Sequence, residues 1–97
     1  MITMQLSEAA NAIDGELIGS DRGFEGVSTD TRSLTPNQLF FALKGPLFDA
    51  HDKLGEAATA GAAGAVVEHA DNIDLSLIRT IDCRRGLGRL ARNWRSR

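Results

Sequence analysis

Two apolar runs joined by a helix-length segment constrain this chain more than any other feature. Leu39-Phe40-Phe41-Ala42-Leu43 is continuous, apolar and bounded by turn residues, the pattern of a strand covered on both faces. Ala65-Val66-Val67-Glu68 is a second buried strand of the same kind. Between them Leu54, Ala57, Ala58 and Gly61 recur at helical spacing, a narrow, alanine-rich face suited to close packing on a sheet. The spacing predicts a helix starting at Asp49 or Asp52 and ended by Gly61 and Gly64. A helical crossover makes the strands it joins parallel, and its hand is right-handed, so the segment predicts one βαβ unit.

The flanking sequence adds shorter elements. Ser7 offers an N-cap to a short alanine-rich helix that closes at Gly15, and Glu16-Leu17-Ile18-Gly19 then alternates briefly. Residues 19–23 are a loop by composition, and Phe24-Glu25-Gly26-Val27-Ser28 predicts a half-buried strand. Leu34-Thr35-Pro36-Asn37-Gln38 is a turn. Leu77-Ile78-Arg79-Thr80-Ile81 predicts a further strand, after which Asp82 caps a last helix carrying Leu87, Leu90, Ala91 and Trp94 at helical spacing. Gly86 and Gly88 each weaken the start of that helix by roughly 1 kcal/mol relative to alanine. The fold class expected is α/β, a small mixed sheet with a βαβ unit and helices packed on it. All 97 residues form one domain, and at this size folding buries roughly 60% of the unfolded chain's surface.

Charge is distributed unevenly. Residues 1–78 carry four basic and twelve acidic side chains, a balance of −8, whereas residues 79–97 carry seven arginines and one aspartate, a balance of +6. An acidic body repels nucleic acid at long range. The terminal arginines fall mainly opposite the apolar stripe of their helix, as a solvated face does, although a basic nucleic-acid helix would share the pattern. Any anionic ligand of the body needs a local device. Cys83 is the single cysteine, so no internal disulfide forms, and no zinc-type spacing is present. The N-terminus lacks the basic start and apolar stretch of a signal peptide, and no run is long enough to span a bilayer. Both features fit a cytoplasmic protein.

The chain contains no phosphate loop, no nucleophile elbow and no paired-histidine zinc helix, so alone it is not expected to hydrolyse ATP. Two polar clusters stand out: Ser28-Thr29-Asp30-Thr31-Arg32 and Lys44-Gly45-Pro46-Leu47-Phe48-Asp49-Ala50-His51-Asp52. Each follows a predicted strand, and in open α/β sheets ligands bind outside the carboxyl ends of strands. Lys44 before a helix N-terminus is the local device an anion requires. Each cluster also has a structural reading. In the first, Asp30 and Arg32 satisfy backbone groups and each other within a turn. In the second, an aspartate caps a helix beside an exposed His51; one histidine and two close carboxylates are a weak metal signal. Cys83 reads as a buried, inert thiol and Trp94 as a core anchor.

Taken together, residues 27–36, Leu39-Phe40-Phe41-Ala42-Leu43-Lys44-Gly45, Phe48-Asp49-Ala50-His51-Asp52 and residues 60–65 resemble the N-terminal domain of the MurF ligase family. The resemblance covers about residues 2 to 95. The sister MurE ligases share the Asp30-Thr31-Arg32 element and the strand-glycine layout; discrimination rests on Ala42-Leu43-Lys44-Gly45 with residues 48–52, which look like the MurF version. The resemblance implies a domain that holds the UDP end of UDP-N-acetylmuramoyl-tripeptide, its pocket formed by Thr29, Asp30, Thr31 and Arg32 with Lys44, Phe48 and Asp49. Thr29 and Thr31 would sit at uracil and ribose, and Arg32 would mostly hold the loop. Phe48 would give an apolar wall and Lys44 would offset diphosphate charge. It further implies a central ATP-binding domain and a C-terminal domain, both outside these 97 residues. There ATP, with Mg²⁺, phosphorylates the peptide carboxylate before D-alanyl-D-alanine attacks, so no catalytic residue is expected in this chain. Family members often carry a basic residue just before the Phe-Asp pair. Here Leu47 follows Pro46, which leaves Lys44 as that loop's cation. Ending at Arg97 looks like a domain boundary, and a stand-alone docking module is the competing expectation. The face meant for the central domain could drive self-association.

Overall fold

A computed structural model describes residues 4–43, 53–69 and 75–95. In chain order the elements are β1 (Met4–Gln5), α1 (Leu6–Ala12), β2 (Glu16–Ile18), β3 (Gly23–Phe24), β4 (Val27–Ser28), β5 (Leu39–Phe41), α2 (Leu54–Thr59), β6 (Gly64–Val67), β7 (Leu77–Arg79) and α3 (Cys83–Arg95). The main sheet has five strands in the order β2-β7-β6-β5-β4, and β1 pairs with β3 in a separate two-stranded sheet. Strands β4, β5, β6 and β7 run parallel, while β2 closes one edge antiparallel to β7. The expected α/β class and the mixed sheet are both present. The expected βαβ unit is β5-α2-β6, with Phe40 opposite Ala65.

Period-two alternation along the strands builds two cores from one sheet. Leu39, Phe41, Val66 and Ile78 face α1 and α3, where Leu6, Ala9, Ile13, Cys83 and Leu90 pack on them. Phe40, Ala42, Ala65, Val67 and Leu77 face the other way, against Leu54 and Ala57 of α2 and Leu34. β5 and β6 are buried at every residue, which is why they read as continuous apolar runs. Phe24, Phe40 and Phe41 are fully buried, each contributing about 1.5–3 kcal/mol through removal of its ring from water.

Several local expectations are corrected. Helix α1 starts at Leu6 with Gln5 as its N-cap, and Glu8 reaches back to accept from the Gln5 N–H at 3.2 Å. Ser7 therefore lies inside the first turn. Its N–H and hydroxyl both donate to the Asp21 carboxylate, at 3.0 and 2.7 Å, so an acid from a distant loop satisfies this helix start. The strand expected over 24–28 is two strands in two sheets. Gly26 between them has φ +92°, a left-handed conformation that side chains disfavour, and it turns the chain from one sheet to the other.

The crossover helix runs Leu54–Thr59, shorter than expected; its proposed starts at Asp49 or Asp52 lie outside the described residues. Gly64 belongs to β6 rather than to the end of the helix. β7 stops at Arg79, and Ile81 stands 96% exposed. Asp82 does cap α3, accepting from the Arg85 N–H at 3.2 Å, while Glu68 accepts from the Cys83 N–H at 3.0 Å. The buried stripe of α3 is Cys83, Gly86 and Leu90 with Leu87 half-buried; Ala91 is exposed, and the side chain of Trp94 lies outside the described residues. Arg84, Arg85, Arg89 and Arg92 are exposed, as a solvated face requires. Among the described residues no helix is long and apolar enough to cross a membrane.

Candidate functional site

The sheet's parallel strands all end on one side, and the loop after β4 opens there. Crossover geometry puts the first turn of α2 at the same edge, because a helix joining parallel strands runs antiparallel to them. The loop and the helix start wall a cleft of about 650 Å³ lined by Thr29, Asp30, Thr31, Arg32, Phe40, Lys53 and Glu56. Its volume lies in the range of small-molecule sites, roughly 300–1,000 Å³.

Asp30 organises the loop. Its Oδ1 accepts from the Arg32 N–H at 2.9 Å, and its carboxylate takes the Arg32 guanidinium through Nε at 3.2 Å and Nη2 at 2.9 Å. Its carbonyl accepts from the hydroxyls of Ser28 and Ser33 at 3.0 and 3.3 Å. The Arg32 side-chain hydrogen bond, with its backbone N–H and charge in support, holds the Asp30 carboxyl below its ordinary value, and Asp30 in turn holds Arg32 above its own. The turn reading of this segment is thus present in full. Arg32 clasps Asp30 while its side chain remains 88% exposed, so it stiffens the loop before any ligand arrives.

Thr31 is joined to the opposite wall. Its Oγ1 donates to Glu56 Oε2 at 3.0 Å, and Lys53 Nζ lies 3.7 Å from Glu56 Oε1. Phe40 borders the cleft from beneath but is 1% exposed, its ring held in the core. Thr29, Asp30, Thr31 and Arg32 all line this cleft. Lys44, Phe48 and Asp49 lie outside the described residues. Phe40, Lys53 and Glu56 were not anticipated. The apolar run hid Phe40, and the place of Lys53 and Glu56 follows only once α2 is known to start at the loop edge.

A second concavity, of about 500 Å³, lies near β2 and β7 and includes Asp14, Glu16, Glu68, Arg79 and Ile81. Three of its charged groups serve the fold. Arg79 pairs with Glu16 at 3.1 Å, and Glu68 holds the start of α3. Cys83 is buried, its Sγ donating to the Val66 carbonyl at 3.4 Å, as an inert thiol would be.

No protein-family model matches the chain. Among curated proteins, the UDP-N-acetylmuramoyl-tripeptide--D-alanyl-D-alanine ligase of Escherichia coli (strain K12) is 44% identical over 91 residues, covering 94% of this chain and 20% of that protein. The protein of the same name from Haemophilus influenzae is 39% identical over 95 residues, 95% of this chain and 21% of its own length. A UDP-N-acetylmuramoyl-L-alanyl-D-glutamate--2,6-diaminopimelate ligase from Geobacter sulfurreducens is 33% identical over 92 residues, 91% of this chain and 18% of that protein. The chain spans about a fifth of the length of the curated relatives it matches. Among solved structures, MurF from Acinetobacter baumannii superposes with a TM-score of 0.83 at 26% identity, over 93% of this chain and 20% of that one. MurF ligase from Thermotoga maritima in complex with ADP gives 0.64 at 27% identity, over 71% and 16%.

Proposed function

The chain belongs to the MurF family by the N-terminal region it matches in sequence and fold, and from that premise we propose that it receives the UDP end of UDP-N-acetylmuramoyl-tripeptide. The parent enzyme on this reading is a cytoplasmic, ATP-dependent ligase that adds D-alanyl-D-alanine during peptidoglycan synthesis. The observation that carries the reading is the 44% identity over 94% of the chain. The cleft between the Thr29–Arg32 loop and α2 supports it with a concavity of suitable size at the carboxyl edge of the sheet. A MurE-type parent is the nearby alternative, and the lower identity to the diaminopimelate-adding relative, 33% against 44%, favours MurF.

In this assignment Thr29 and Thr31 meet the uridine, and the Asp30–Arg32 clasp holds the loop in shape. We assign the diphosphate side of the site, by the resemblance alone, to Lys44, Phe48 and Asp49, with Lys44 as its cation. The sequence has no phosphate loop, and among the described residues no three potential metal ligands gather. We assign ATP and Mg²⁺ to the parent's central domain, and with them the ligation chemistry. An amide-resolved NMR titration with UDP-N-acetylmuramoyl-tripeptide, UDP and ATP tests the proposal. Both uridine ligands should shift residues 29–32 and the start of α2 while ATP leaves them in place. Shifts confined elsewhere, or equal shifts with ATP, would rule it out.

A further inference from the structure

Thr31 holds a hydrogen-bond polarity that its own chemistry does not dictate. A free hydroxyl can donate one proton or accept through its lone pairs, and it rotates to suit its partner. Here the proton is committed, because Thr31 Oγ1 donates to Glu56 Oε2 at 3.0 Å. A carboxylate accepts and does not donate, so this contact cannot reverse. The other oxygen, Oε1, lies 3.7 Å from Lys53 Nζ. What Thr31 presents to the cleft is therefore lone pairs alone. A ligand group placed against it must donate.

We infer that Glu56 is a positioning residue that fixes Thr31 as an acceptor and thereby makes the cleft select uracil over cytosine. The inference rests on the proposed uridine site and adds to it the group that sets base preference. Uracil carries an imide N3–H, a donor, where cytosine carries an unprotonated N3, an acceptor. Set against the Thr31 lone pairs, cytosine N3 meets like polarity and leaves both acceptors unsatisfied when the ligand covers them. The Thr31 lone pairs are the contact that would read the base; Phe40 borders the cleft here with its ring buried in the core. Sites built to hydrogen-bond one partner reject an analogue that leaves buried polar groups unpaired, so the expected preference for UDP over CDP is about tenfold or more.

Glu56 is exposed and its replacement leaves both cores untouched, so the variant should fold as the parent chain does. The test is a set of NMR affinities for UDP and CDP in the unmodified chain, in Glu56→Ala, in Thr31→Val and in the double variant. With Glu56 removed the hydroxyl regains its choice, and the UDP-to-CDP ratio should fall to near one, mainly through tighter CDP binding. Thr31→Val should weaken UDP, and adding Glu56→Ala to it should change the ratio no further, since Glu56 acts through Thr31. A parent chain that binds UDP in this cleft without preferring it to CDP overturns the inference and leaves the proposed function standing. So does a Glu56→Ala variant that changes both affinities by the same factor. If UDP shifts no residue of the cleft, the proposed function itself fails, and this inference with it.

Discussion

Gly15 and Gly88 should respond in opposite directions to the same substitution, and the structure supplies the reason. A Cβ on Gly15 would lie 2.9 Å from the Arg79 carbonyl oxygen and 2.9 Å from Ile78 Cγ2. The first of these is backbone in the β2–β7 ladder, where Glu16 is already paired with Arg79. Relief requires the ladder to open or α1 to move, and overpacking of that kind costs about 1–3 kcal/mol. Around Gly88, in the exposed middle of α3, nothing lies within 4 Å of the added carbon. There alanine only restricts the unfolded chain and favours the helix, a gain of about 1 kcal/mol. For a domain of this size 1 kcal/mol moves Tm by roughly 4–8 °C. Gly88→Ala should therefore melt about 4–8 °C higher than the parent chain and Gly15→Ala at least about 4 °C lower, read by circular dichroism with calorimetry to check two-state behaviour. A Gly15→Ala chain as stable as the parent would refute the close approach of β2 to β7. A Gly88→Ala chain that melts lower would refute the open, helical setting of residue 88.

Two further outcomes follow from the hydrogen bonds. Asp82→Ala removes the acceptor for the Arg85 N–H and should cost about 0.5–2 kcal/mol in denaturant unfolding, with the core otherwise unchanged. Asp21 is held below its ordinary value of 3.8, first by the Ser7 hydroxyl and then by the Ser7 N–H. A carboxyl depressed in the folded state contributes stability above its unfolded value, and that contribution is lost as pH falls through the folded one, here below about 4. Carboxyl-detected NMR should place the Asp21 midpoint under 3.8 and move it upward in Ser7→Ala; an unmoved midpoint would break the link to Ser7.

What the sequence revealed and what it hid divide along the range of the interactions involved. β5 and β6 were legible because strands buried on both faces have no solvent side to encode, so apolar residues run without interruption. The Asp82 cap was legible because cap and helix are adjacent in the chain. The start of α1 was not, since the acid that satisfies Ser7 arrives from Asp21, fourteen residues on. Nor was the division of 24–28, because Phe24 and Val27 sit on the two sides of a glycine turn and only their partners, Met4 and Leu39, tell the strands apart. Ile81 continued an apolar pattern past the point where the chain turns into its cap, and it ended in solvent. At the site, the loop residues could be named from their position after a strand. Lys53 and Glu56 could not, because nothing local distinguishes a lysine and a glutamate at the start of an alanine-rich helix from any solvated pair.

The charges of the cleft bear on which part of a ligand it meets. Asp30 is matched by Arg32 and Glu56 by Lys53, so the described walls offer two closed pairs and no surplus cation. Residues 1–78 carry a balance of −8, which adds no long-range attraction for an anion. Walls of this kind suit the uncharged end of a nucleotide, where hydroxyls and a backbone loop can read shape and hydrogen-bond polarity. A diphosphate at the same edge must draw its counter-charge from elsewhere, and on the proposed reading Lys44 is the cation next in line after β5, unaided by a basic residue at the position Leu47 fills. Base recognition and phosphate recognition are then separate tasks on separate loops. On that proposed reading, a change at Thr31 or Glu56 should alter which nucleotide is chosen, whereas a change at Lys44 should weaken every nucleotide diphosphate alike.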